Sequence, residues 1–209
     1  MLASDTCIYD PYQLATGEGT TNAAMRSSGS KIVHNEAAGL IYAVSGGSNL
    51  SREAGEILDR YVRTGGIEPD KRRAVLTELG LEAQTKFTNS RSVAGTLLVI
   101  FYDREPNMWT LDIGSAPVSR ETFAFGGGGN LAMFFVARFP ESRTVEELKF
   151  LAAHSVSEAH FFNPSVVDGL ELWSCTNGRV ERATDTELSE LRKRSARFNR
   201  RVRAGLFNR

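Results

Sequence analysis

Cysteine is scarce in this chain: Cys7 and Cys175 are its two thiols in 209 residues, too few for the disulfide framework of small secreted domains. Two reduced thiols in an intracellular protein are expected. Histidine is nearly as sparse. His34, His154 and His160 are scattered, with no spacing typical of a metal centre, so neither a metal nor a cofactor is implied. Excess charge is lacking too. Twenty-five basic residues balance twenty-five acidic ones, so charge over the whole chain argues for neither nucleic acid nor an acidic substrate. Long apolar runs are also missing. Residues 97–102 form the longest, well short of the ~20 residues a membrane-spanning helix needs. The opening Met1-Leu2-Ala3-Ser4-Asp5 has neither the basic region nor the apolar stretch of a signal peptide. A soluble, cytoplasmic protein without a membrane partner is expected.

What is present suffices for one substantial core, with 41% hydrophobic residues. Residues 1–9 read as a strand fragment and 10–30 as a Gly/Thr/Ser/Asn-rich loop opened by Pro11. Lys31–Asn35 and Gly39–Ser45 read as a hairpin, the second strand continuously apolar. Ala54, Ile57, Leu58 and Tyr61 fall at helical spacing. Gly65-Gly66 stops that helix, and Pro69 opens a more polar one reaching about Thr88. Strands are expected over Val93–Tyr102, Met108–Ile113 and Glu121–Phe125, the last running into the tetraglycine Gly126–Gly129.

Two helices follow. The second starts in a capping box, Thr144 with Glu147, and is expected to bury Val145, Leu148, Ala152 and Val156. Thr176-Asn177-Gly178 marks a tight turn between Gly169–Cys175 and Arg179–Arg182. A second capping box, Thr184 with Glu187, opens the closing helix. Clustered strands interrupted by helix pairs point to antiparallel sheets with helices packed outside. The expected class is α+β, a four-layer αββα sandwich of two antiparallel sheets. One domain over 1–191 carries it, and 192–209 form a basic helix end or tail. Solvation is the ordinary role of such a tail, with an acidic partner or nucleic acid as the functional alternative.

Several stretches, in order and over nearly the whole chain, resemble proteasome β subunits and the related peptidase subunit of bacterial ATP-driven proteases, within the N-terminal-nucleophile (Ntn) hydrolases. Leu2-Ala3-Ser4-Asp5 resembles the strand that ends in an alanine-alanine-aspartate motif. Ser30-Lys31-Ile32 resembles the segment with the catalytic lysine, and Gly39–Gly47 the strand ending in an oxyanion-hole glycine. Residues 97–102, 109–113 and 124–126 match the later strands and the glycine turn. Residues 144–153, 171–178 and 185–191 match a helix, the last hairpin and the closing helix.

In that family a threonine at the mature N-terminus attacks the peptide carbonyl, with its own α-amine as base. The resemblance makes Asp5 the aspartate that fixes the lysine, Lys31 that lysine, and Gly46 the backbone N–H donor to the oxyanion. The family's downstream aspartate is matched only by Glu158, its neighbouring serine by Phe161, and the serines of its glycine turn by Gly127 and Gly129. The strand that begins with the nucleophile has no match in these 209 residues, so the chain as written is expected to be inactive. Gly19-Thr20-Thr21 resembles the processing junction, but cleavage there would discard Asp5. An upstream start, with Met1 internal, is the simpler rescue.

Two functions stay open. One is a threonine-type peptidase, self-compartmentalised in a homo-oligomeric ring and served by an ATPase. The other is a non-catalytic structural or assembly subunit.

Overall fold

A computed structural model describes residues 2–4, 7–16, 19–45, 55–60, 63, 67–87, 95–102, 107–120, 129, 133, 144–164 and 167–207. The chain forms two compact units, one of residues 8–126 and one of residues 1–7 with 127–209. None of the described helices is long and apolar enough to cross a membrane.

In the first unit, β2 (Cys7–Thr16, which begins at the boundary) pairs with β3 (Gly19–Ser28) as a two-stranded sheet. This corrects the expectation of a loop over 10–30. Short polar side chains suppressed the apolar signal on which a strand reading depends, although Thr20 and Thr21 are themselves good strand formers.

The larger sheet of this unit is a five-stranded antiparallel meander. It contains β4 (Ile32–Asn35), β5 (Leu40–Ser45), β6 (Thr96–Phe101), β7 (Asn107–Asp112) and β8 (Val118–Arg120), in that spatial order. Between β4 and β5, the Asn35 side-chain oxygen accepts the Ala38 N–H at 3.1 Å, and Gly39 turns at φ 61°. The two strands with continuous apolar runs, β5 and β6, lie side by side in this one sheet, paired from Leu40↔Phe101 to Ser45↔Thr96. Glu121–Phe125 lies outside the described residues. The strand found beyond β7 is β8, three exposed residues that carry no periodic signal.

Helix packing follows from the alternation of the strands. Leu40, Tyr42, Leu97, Val99, Phe101 and Leu111 share a core with Ile57 and Leu58 of the helical residues 55–60. Val75, Leu76 and Leu79 of α1 (Arg72–Phe87) complete it, after a 3-10 turn over Pro69–Lys71. Gly80 brings the helix close: a Cβ there would stand 3.1 Å from a Leu111 methyl. Arg72, fully buried at the head of α1, lays its guanidinium 4.4 Å from the Phe101 ring centroid. On the other face of the sheet Ile32, Ile41, Ala43 and Leu98 are buried as well. Apolar burial on both faces is what the unbroken runs require.

The second unit has a three-stranded antiparallel sheet in the order β1 (Leu2–Ser4), β9 (Glu171–Thr176), β10 (Arg179–Arg182). Leu172 of this sheet packs with Ala153 of α2 (Val145–Phe162) and Leu191 of α3 (Asp185–Phe207). Both capping boxes are present. Thr144 and Thr184 each accept an N–H from the glutamate three residues on, which reaches back to the threonine N–H. Ala152 and Val156 pack on the core as expected. Val145 and Leu148 do not: both are exposed. The basic segment 192–207 continues α3 as helix.

Asn177 (φ 52°) and Gly178 (φ 74°) make the β9–β10 turn, both in the left-handed region. A Cβ on Gly178 would meet nothing within 4 Å, and the same holds for Gly205 inside α3. Gly178→Ala should therefore destabilise by about 1 kcal/mol through φ alone. Gly205→Ala should stabilise by up to about 1 kcal/mol through helix propensity. Urea denaturation of the two variants checks the pair, and a loss at Gly205 would refute the helical assignment of the basic segment.

Candidate functional site

Lys31 stands just before β4, half-buried. Ser30 fixes this approach, its hydroxyl donating to the Ile32 carbonyl at 2.7 Å and accepting the Ile32 N–H at 3.3 Å. The ladder Ile32↔Ala43 and Val33↔Tyr42 extends to set Lys31 level with Val44, near the end of β5. The strand closes one residue on, at Ser45, and Gly46 follows. Across the sheet the same end carries Thr96, opposite both Ser45 and Asp112. The Thr96 hydroxyl donates to the Asp112 carboxylate at 2.6 Å. Register thus brings Lys31 and the residue preceding Gly46 to one polar end of one sheet. Gly46 and Asp5 themselves lie outside the described residues.

The opposite end of the sheet is polar in a different way. His34 bonds the Tyr102 hydroxyl at 2.7 Å, and the Asn35 amide donates to Asp59 at 3.0 Å. Burial, with a smaller contribution from Asp59, holds the Tyr42 phenol above its usual range.

Glu158 belongs to the other unit, on α2 facing α3. It accepts a hydrogen bond from the Asn199 amide and lies 4.0 Å from His154 Nδ1. His154 is buried and bonds the buried Ser195 hydroxyl at 2.8 Å. Its ring stacks on Phe150 at 5.6 Å, and Phe198 meets it edge-on at 5.1 Å. The pairs His154/Glu158 and Ser195/Asn199 are each four residues apart, so one helix face presents both members to its neighbour. That spacing was available in the sequence and was not used there. Chemically the arrangement is a polar seam between two helices. One imidazole nitrogen faces both the serine and the carboxylate, which is not a relay from nucleophile through base to orienting acid.

The sequence reading also missed Glu171. Its carboxylate is buried, accepts the Trp173 indole N–H at 3.0 Å and pairs with Arg182 at 3.2 Å. It stands in register with Ser4, the residue before Asp5. A glutamate between Leu170 and Leu172 was the available signal. Among the described residues no cluster of His, Cys, Asp and Glu could hold a metal, and Cys175 is a free thiol.

Burial pushes the His154 imidazole below its usual pKa, against the pull of Glu158. The unfolded chain therefore takes up this proton first as pH falls. The stabilisation is complete above about pH 6.5 and is lost as pH drops through the lower folded-state value. Glu158 on the same helix and Arg194, 4.4 Å over Phe150 from α3, are the charges that face this region. Urea midpoints measured between pH 5 and 8 should fall toward the acid end, and His154→Gln should flatten the fall. Equal slopes would show that His154 does not titrate the fold. Ser195→Ala should cost about 1–3 kcal/mol, by leaving a buried nitrogen unsatisfied.

No family model and no curated protein matches the chain. Among solved structures it is similar to a Gly-1 mutant of Anbu from Hyphomicrobium sp. strain MC1, with a TM-score of 0.73. The match covers 98% of this chain and 90% of that one at 12% sequence identity. At that identity the likeness carries the fold alone: an α+β, proteasome-like Ntn-hydrolase fold of antiparallel sheets and helices.

Proposed function

We propose that the chain is a subunit of threonine-type peptidase ancestry, with its centre organised at the Lys31 end of the five-stranded sheet. The observation that carries this reading is the register that sets Lys31 level with Val44, near the end of β5 and two residues before Gly46 in the sequence. The chemistry is amide hydrolysis. The hydroxyl oxygen of an N-terminal threonine attacks the carbonyl carbon and passes its proton to the threonine's own α-amine. Collapse of the tetrahedral intermediate breaks the C–N bond, and the proton leaves with the departing amine. Water then cleaves the resulting ester. Lys31 supplies a fixed positive field beside the nucleophile, Asp5 anchors it, and the Gly46 N–H receives the oxyanion. For Glu158, the bond to Asn199 supports holding α2 on α3 over contact with substrate. Assembly into a homo-oligomeric ring in the cytoplasm, fed by an ATPase, belongs to the same reading.

The second reading is a non-catalytic assembly subunit, favoured by the exposed apolar side chains of Phe161, Phe162 and Leu206. The codons upstream of Met1 discriminate the two, an in-frame threonine-first strand favouring the peptidase and a stop codon the assembly subunit.

Residue 1 of these 209 bears neither a hydroxyl nor a thiol. The polypeptide 1–209 should therefore give no peptide turnover and no labelling by threonine-directed covalent inhibitors. Placing a strand that begins with a free threonine ahead of Leu2 should create turnover. Lys31→Ala in that extended protein should then reduce it by about 100-fold or more. A burst of acyl-enzyme from 1–209, or full activity in the extended Lys31→Ala variant, would overturn the assignment.

A further inference from the structure

The contacts between α2 and α3 advance together along both helices. Lys149 meets Glu187, Phe150 lies under Arg194, His154 bonds Ser195, and Glu158 bonds Asn199. The last two pairs share a sequence offset of 41 residues, and the same offset sets Phe161 level with Val202. About two turns on from His154 and Ser195, these two residues hold the same helix faces. There burial stops. Phe161 and Phe162 are 67% and 69% exposed, Val202 is exposed, and Leu206, one turn beyond it, is 66% exposed. The stripe through which α3 packs on α2 thus runs out into solvent beside two uncovered rings. Those rings sit on a held helix end: Asn163 donates its N–H to the Ala159 carbonyl, and Val167 donates to the Asn163 carbonyl. An apolar patch of this kind marks a contact surface.

What covers it must be anionic as well as apolar. In α3 no basic residue precedes Arg192 and no acidic residue follows Glu190. Arg201 and Arg203 are the chain neighbours of Val202, so they stand about 100° to either side of the stripe. Arg200, Arg201 and Arg203 are exposed, and none has a carboxylate partner among the described residues. Compensation of the helix dipole does not account for them. That effect is confined to the last turn, and the last turn of α3 holds no basic residue. The chain as a whole is neutral, so this end is a local positive pole. An RNA would pair the arginines but leave Phe161, Phe162 and Leu206 against sugar and phosphate. A bilayer interface answers both demands. It offers hydrocarbon to the stripe and, just above, phosphates within reach of guanidiniums whose stems run along the apolar surface.

We propose that the paired C-terminal ends of α2 and α3 form a docking surface for an anionic membrane. Phe161, Phe162, Val202 and Leu206 enter the interface, and Arg201 and Arg203 bond lipid phosphate. Asp185, Glu187 and Glu190 lie at the other end of α3, so repulsion there and attraction here set one orientation. None of the described helices could cross a bilayer, and the contact requires none, being with one leaflet. The inference goes beyond the peptidase reading and needs nothing from Lys31, so failure here leaves the Lys31 test untouched.

The test is co-sedimentation of the full 1–209 chain with phosphatidylcholine vesicles, with and without about 30% phosphatidylserine. Melting curves confirm that each variant is folded. Wild type should partition at least about tenfold more strongly onto the phosphatidylserine vesicles, and the difference should fade toward about 1 M salt. Arg200→Glu/Arg201→Glu/Arg203→Glu should abolish that preference. Phe161→Ser/Phe162→Ser/Leu206→Ser should weaken binding at least about tenfold with charge unchanged. Lys71→Glu/Arg73→Glu, which moves net charge the same way at exposed positions of the other unit, should leave binding intact. Equal partitioning onto both vesicles overturns the proposal, as does binding that either end variant leaves unchanged or that the Lys71/Arg73 variant also removes. So does tighter binding of the same end to an RNA oligonucleotide, or a self-associated wild type that the serine variant turns monomeric.

Discussion

Strands β5 and β6 are apolar along both of their faces, and most of this architecture answers to that fact. A strand of this kind cannot sit at an edge or leave one side to water. It must lie inside a sheet that is covered above and below. Leu40, Tyr42, Leu97, Val99 and Phe101 meet α1 and the helical residues 55–60, while Ile41, Ala43 and Leu98 are buried on the reverse face. Sliding one strand by a single residue would exchange these two sets and expose neither to better company. The register is therefore held by the core, and the core in turn fixes which residues end each strand. Lys31 is set beside the close of β5 by the register that this packing holds.

The three-stranded unit uses a different device. Its helices meet through alanines, leucines and a short polar ladder in which each member has a partner. Buried hydrogen-bonded pairs add little net stability, but leaving one half unpaired is costly, so they penalise misaligned packing more than they reward the correct one. His154 with Ser195 and Glu158 with Asn199 thus specify the alignment of α2 on α3. The aromatic rings of Phe150 and Phe198 enclose that ladder.

Much of this was legible in the sequence because it is local. The capping boxes at Thr144 and Thr184, the turn at Asn177-Gly178 and the apolar runs of β5 and β6 are each decided within a few residues. The class of fold, α+β with antiparallel sheets, followed from the order of such elements. What escaped depends on distant partners. The β2–β3 pairing lacks an apolar pattern, and its strands gain their state from each other. Val145 and Leu148 have helical spacing suited to burial, but spacing does not say how far the covering layer extends. For the candidate site, the sequence pointed to Lys31 and Gly46 through resemblance, while the register that sets Lys31 level with Val44 is a property of paired strands. Glu171 escaped because a lone acidic residue in a strand gains its meaning from Trp173 and Arg182, folded back around it.

The first strand of the chain pairs with β9, Leu2 opposite Trp173, whereas residues 8–126 close a unit from one continuous stretch. During synthesis the continuous unit has all its strands available once Gly126 has left the ribosome. Residues 2–4 must wait until almost the whole polypeptide has emerged before their hydrogen-bonding edge is met. Contacts so remote in sequence form late, because the loop they close is entropically expensive until the intervening segments are compact. Residues 2–4 consequently dock late, and it is their own strand edge that stays unpaired, exposed to solvent and to chaperones, until β9 has emerged.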